Sequence, residues 1–133
     1  MLPDRIRTFN KYVTNRITRR FANVSHGPFA IIGHIGRRSG KHYETTIMVR
    51  PTREGFLIAL TYGPQVDWYR NVLAAGGGTI YWHKRLYTVG KPEPMAVQTA
   101  LSLFPQPEKL ILRMLGIQNF VQVKSSGSEP IRA

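Results

Sequence analysis

The chain has 133 residues and a mass of 15.1 kDa, enough for one domain with one core and no dependence on disulfides or structural metals. It contains no cysteine, which excludes thiol catalysis, thiolate metal sites and a disulfide framework. Nineteen Lys and Arg against seven Asp and Glu give a formal net charge of +12, a field that draws polyanions such as nucleic acid, an anionic membrane surface or a phosphate-bearing ligand.

Residues 4–19 read as a basic amphipathic helix. Ile6, Phe9, Val13 and Ile17 recur at spacings of three and four, and Phe21 extends their stripe. Arg5, Arg16 and Arg19 flank it. Two readings stay open: a helix docked on its own domain, or one lying in an anionic membrane interface with its basic stems reaching lipid phosphates. A strand is expected over residues 29–35, then a turn over 36–41 and a β-branched strand over 42–50. Residues 51–55 form the next turn and 56–60 a third strand. Asp67 is placed as N-cap of a short helix over 68–75, which Gly76, Gly77 and Gly78 end. Strands over 79–82 and 85–89 follow. Pro92 and Pro94 introduce a helix over 95–104, and residues 108–115 restart a turn or two. Residues 120–123 alternate like a closing strand, and 125–133 read as a flexible tail.

Strands that come in hairpins disfavour a doubly wound parallel sheet. The expected fold is mainly β with helices (α+β): one small antiparallel barrel domain over residues 1–133, with an amphipathic helix over 1–21. The longest uncharged stretch, residues 21–36, is interrupted by His26, Gly27, Pro28, Gly33 and His34 and is shorter than the ~18 apolar residues of a spanning helix. The N-terminus lacks the apolar core of a secretory signal. The expected location is cytoplasmic, with a peripheral hold on the inner face of the membrane through residues 4–21.

The chemistry concentrates in two segments. In Gly36-Arg37-Arg38-Ser39-Gly40-Lys41, glycines let backbone amides approach an anion while Arg, Ser and Lys supply donors and charge. This is not a Walker A loop, and a solvated basic hairpin turn is the plain alternative. In Asp67-Trp68-Tyr69-Arg70-Asn71, Trp68 and Asn71 share a helix face. There the indole can meet a conjugated ring and the amide a polar edge; the plain alternative is a core Trp beside a cap. The carboxylates Asp4, Glu44, Glu54, Asp67, Glu93, Glu108 and Glu129 are scattered, against a paired-carboxylate hydrolase or a two-metal site. His26, His34, His42 and His83 lack metal-ligand spacing, and Gly-x-Ser-x-Gly does not occur.

Read in order, these segments resemble the deazaflavin-dependent nitroreductase family, whose members bind coenzyme F420. The match runs from Ile31-Ile32 through Gly36–Lys41, Ala59-Leu60-Thr61 and Trp68-Tyr69-x-Asn71 to Ala74. The resemblance implies a split β-barrel of the FMN-binding kind. It implies Arg37, Arg38, Ser39 and Lys41 as contacts to the cofactor's anionic tail, Trp68 and Asn71 beside the cofactor, and Ala59 and Thr61 as walls near its ring. It further implies hydride transfer from reduced deazaflavin to an electron-poor acceptor such as a quinone, a small apolar molecule. Thr61 and Tyr62 are the candidates to deliver a proton. Three departures stand out: Tyr43 where the family often has an arginine, Asp67 before Trp68, and no tyrosine over residues 104–110. The last argues against nitroimidazole reduction. The alternatives are an FMN- or tetrapyrrole-binding barrel, and a basic nucleic-acid-binding barrel without enzymatic activity. No nucleic acid is expected, because the basic residues are not interleaved with aromatics on one strand. The sequence sets no oligomeric state.

Overall fold

The structure, a computed structural model, describes residues 27–130. The expected helix over residues 4–19 and its membrane reading lie outside the described residues, as do residues 131–133.

Along the chain run β1 (Phe29–Ile35), β2 (His42–Pro51), β3 (Gly55–Ala59), α1 (Asp67–Ala75), β4 (Gly77–Trp82), β5 (Arg85–Gly90), β6 (Glu93–Met95), α2 (Val97–Leu103), α3 (Glu108–Met114) and β7 (Phe120–Pro130). All strand pairings are antiparallel. β1 pairs with β2 and β4, β2 with β3, and β4 with β5. β7 closes the sheet into a ring, because it pairs with β3 over Phe120 to Lys124 and with β5 over Ser125 to Pro130. The ring is not a regular barrel. β1 and β4 share only the register Ile31 to Gly33 against Tyr81 to Thr79, and β5 meets β7 through an irregularity at Thr88/Val89.

Strand alternation sorts the side chains. Ala30, Ile32, Ile47, Val49, Phe56, Ile58, Ile80, Val121 and Val123 fill the interior, joined by Trp68 and Val72 from α1. Leu57, Ala59 and Phe120 face the other way and pack under α2 and α3 against Ala100, Phe104 and Leu112. β3 is therefore buried on both faces, which explains its continuous apolar run.

The expected hairpins and the β3 strand form within a residue or two of the predicted bounds. Three expectations are corrected. The helix placed over 95–104 begins at Val97, because Glu93 to Met95 instead pairs with Gln122 to Phe120. Pro94 is tolerated there because β6 is an edge strand. The tail placed over 125–133 is a strand as far as Pro130. Its polar side chains carry no apolar alternation, and pairing with β5 is what orders it. Asp67 is the first residue of α1 rather than its cap; Val66 holds the cap position without a side-chain bond.

The glycines after α1 have separate tasks. Gly76 (φ 76°) ends the helix in the left-handed region, with its N–H on the Leu73 and Val72 carbonyls. Gly77 (φ 149°) lies where an added Cβ would sit 2.3 Å from the Val89 carbonyl oxygen. Gly77→Ala is therefore expected to cost about 2 kcal/mol, read as a lowered urea midpoint with an unchanged slope. Among the described residues, no helix is long and apolar enough to cross a membrane, and no group of three or more His, Asp or Glu could hold a metal ion.

Candidate functional site

At one end of the ring, a cavity of about 680 Å³ opens between the β1–β2 turn, the chain leaving β3 and the first turns of α1. Its walls include Ile47, Ala59, Leu60, Val66 and Trp68; its polar lining includes His34, Arg37, Arg38, Ser39, Tyr43, Thr45, Thr46, Thr61, Tyr62, Asp67 and Asn71.

The turn is closed by its own backbone. Gly36 N–H donates to the Lys41 carbonyl at 2.8 Å and Gly40 N–H to the Gly36 carbonyl at 2.9 Å, with Gly40 at φ 71°. A Cβ on Gly36 would lie 2.5 Å from Ser39 Oγ and 2.9 Å from Tyr43 Cε2, so only glycine lets both side chains fold over that point. Ser39 Oγ accepts the Lys41 N–H at 3.2 Å and lies 3.3 Å from the Tyr43 hydroxyl.

A polar chain then ties the turn to α1. Asn71 Oδ1 accepts both the Arg37 backbone N–H at 3.1 Å and its guanidinium at 2.8 Å. The same guanidinium reaches the largely exposed Asp67 carboxylate at 3.2 Å. On its other side, Asn71 Nδ2 meets His34 Nδ1 at 3.1 Å, and His34 Nε2 meets Thr45 Oγ1 at 3.0 Å. His34 and Asn71 are both buried, so these bonds replace water the groups have lost. Tyr43 stacks on the His34 ring at 5.7 Å between centroids. Burial lowers the His34 pKa from 6.5 to about 4, against the opposing pull of Asp67, so the ring is neutral at pH 7.

Of the residues singled out in the sequence, Arg37, Arg38, Ser39, Ala59, Thr61, Tyr62, Trp68 and Asn71 share this one cavity. Lys41 does not line it: it is exposed, and its backbone rather than its ammonium serves the turn. Arg37 and Arg38 differ in kind. Arg37 is engaged by Asn71 and Asp67, whereas Arg38 is exposed and makes no ion pair or hydrogen bond among the described residues. Trp68 belongs to the core and to the cavity wall at once. Sequence reasoning passed over His34 and Thr45 as site residues and met Tyr43 only as a departure from the resemblance. The one available signal was a polar ring at the end of the inward series Ala30, Ile32, His34, which must find a partner once buried.

No family model matches the sequence, and no curated protein matches it significantly. Solved structures of other proteins share its fold. The crystal structure of the protein Atu2129, of unknown function, from Agrobacterium tumefaciens str. C58, aligns with a TM-score of 0.57 at 13% identity, over 80% of this chain and 51% of that one. The chain thus spans about half of that protein's length. A domain-swapped dimer aligns with a TM-score of 0.51 at 15% identity, over 86% of this chain and 98% of that one. The shared architecture is a split-barrel-like β fold.

Proposed function

We propose that the protein is an F420H2-dependent oxidoreductase that passes a hydride to an electron-poor acceptor such as a quinone. The observation that carries the reading is a cavity that joins the arginine-bearing turn to Trp68. Its donor set suits the group: the Arg38 guanidinium, unpaired among the described residues, and a hydroxyl at one end, and a wall of Ala59, Leu60 and Trp68 at the other. Those chemistries match an anionic tail and a flat conjugated head.

In this reading Arg38 and Ser39 hold the anionic tail, and Arg37 braces the turn with one face of its charge shared with Asp67. Trp68, Ala59 and Thr61 orient the ring and exclude water. When bound, reduced deazaflavin supplies the hydride. A quinone that takes up a hydride and one proton becomes a hydroquinone. Tyr62, at the mouth and almost fully exposed, and Thr61 are the side chains placed to pass that proton from solvent. FMN is the competing ligand for the same walls.

Arg38→Ala is expected to weaken F420 binding about tenfold or more, the scale of a lost charge-assisted hydrogen bond. Unchanged affinity would take the turn out of the site. Turnover is tested by mixing the protein with F420H2 and a short-chain quinone. Reoxidation of the deazaflavin that depends on both protein and quinone supports the activity; binding without reoxidation contradicts it.

A further inference from the structure

The geometry points to a binding subsite at Thr45: its hydroxyl is a fixed hydrogen-bond donor at the cavity wall that takes an acceptor atom, a carbonyl oxygen or bare ring nitrogen, on the edge of a planar heteroaromatic ligand. One group in the chain has a role that is not adjustable. An arginine can only donate. Arg37 presents a backbone N–H and a guanidinium N–H to the same Asn71 atom, at 3.1 and 2.8 Å, so that atom must be the amide oxygen. The amide nitrogen of Asn71 therefore faces His34 Nδ1, at 3.1 Å, and as a donor it requires an acceptor there. Nδ1 is then bare and the ring proton sits on Nε2. Nε2–H in turn donates to Thr45 Oγ1 at 3.0 Å.

The consequence falls on the hydroxyl hydrogen. Thr45 Oγ1 is occupied as an acceptor by His34, so its own O–H must point elsewhere, and it finds no other partner among the described residues. Thr45 is half-buried and lines the cavity with Trp68. A half-buried donor held in direction by a fixed neighbour reads an acceptor more sharply than a freely rotating one, because little freedom is lost on binding. A protonated His34 would set Nδ1–H against the Asn71 amide hydrogens and break the chain; the lowered pKa of the buried ring agrees with the neutral form. His34 and Asn71 are positioning residues; of the three, Thr45 is the one that touches the ligand.

The assignment deepens the proposed function and rests on it for the ligand's identity, so the test uses a ring without a tail. Lumiflavin is titrated into wild type, Thr45→Val and Thr45→Ser, following tryptophan fluorescence. Valine keeps the β-branched shape on β2 and removes the hydroxyl; serine keeps the hydroxyl. Thr45→Val is expected to bind about fivefold more weakly and Thr45→Ser within about twofold of wild type. Nitrogen-15 spectra of the ligand-free protein at pH 7 are expected to show His34 protonated on Nε2 alone. Equal binding by wild type and Thr45→Val, no lumiflavin binding by wild type, or a proton on Nδ1 each overturns the assignment. Lumiflavin binding with the expected ranking but no F420 binding would overturn the F420 reading and leave the Thr45 subsite standing.

Discussion

Replacing Asn71 with alanine lowers the folding free energy by about 3 kcal/mol or more, the cost of leaving buried hydrogen-bonding groups without partners. The side chain is buried on α1 and holds two elements to each other. Its oxygen takes both the backbone and the guanidinium of Arg37, and its nitrogen serves the His34 ring. Alanine leaves those donors and the buried Nδ1 without the amide that pairs them, and it releases the β1–β2 turn from the helix. Urea unfolding monitored by Trp68 and Trp82 fluorescence reads the change, and a loss under about 1 kcal/mol would mean that water replaces the amide without strain. The same variant is expected to lose ligand affinity, because the turn that carries Arg38 is no longer held against the cavity.

The second large effect is a loss of stability on acidification that traces to His34. Its pKa is 6.5 when unfolded and about 4 when folded, lowered by burial. Above pH 6.5 the ring is neutral in both states and the contribution is complete. As pH falls from 6.5 toward 4, the unfolded chain takes up a proton that the folded ring refuses, so stability drops. Below pH 4 both states are protonated and the loss levels off. The slope from this one proton is at most about 1.4 kcal/mol per pH unit, and the whole step is on the order of 3 kcal/mol. Carboxylates titrate near the lower end of this window, so the comparison is with His34→Gln, which should be less stable at pH 7 but show a flatter profile between pH 6.5 and 4.5. Parallel profiles for the two proteins would contradict the buried neutral ring.

How much of this was legible in the sequence differs by element. β1, β2 and β3 were readable because β-branched and apolar runs are bounded by Gly, Pro and charged turns, and local chemistry alone defines such hairpins. Residues 125–130 were not, because their polar side chains are exposed and only the edge of β5 makes them a strand. Glu93 to Met95 escapes a local reading for the same reason: its partners, Gln122 to Phe120, lie 25 to 29 residues onward, beyond any local pattern. At the site, Arg37, Arg38, Trp68 and Asn71 were visible as residue types. The division of labour between the two arginines was not, since it depends on Asp67 and Asn71 arriving from a helix 30 and 34 residues away. His34 and Thr45 were invisible as a pair because nothing in the sequence reveals that the ring would meet the hydroxyl across the β1–β2 ladder, where His34 lies opposite Tyr43 rather than Thr45.

The central claim is that one concavity grips an anionic tail at Arg38 and seats a planar head beside Trp68. Equilibrium titration of the purified protein with F420 and, separately, with FMN, read by tryptophan quenching in wild type and Arg38→Ala, tests it most directly. Saturable F420 binding tighter than FMN binding is expected, weakened about tenfold in the variant. Absence of F420 binding, or binding to which Arg38 is indifferent, would contradict it.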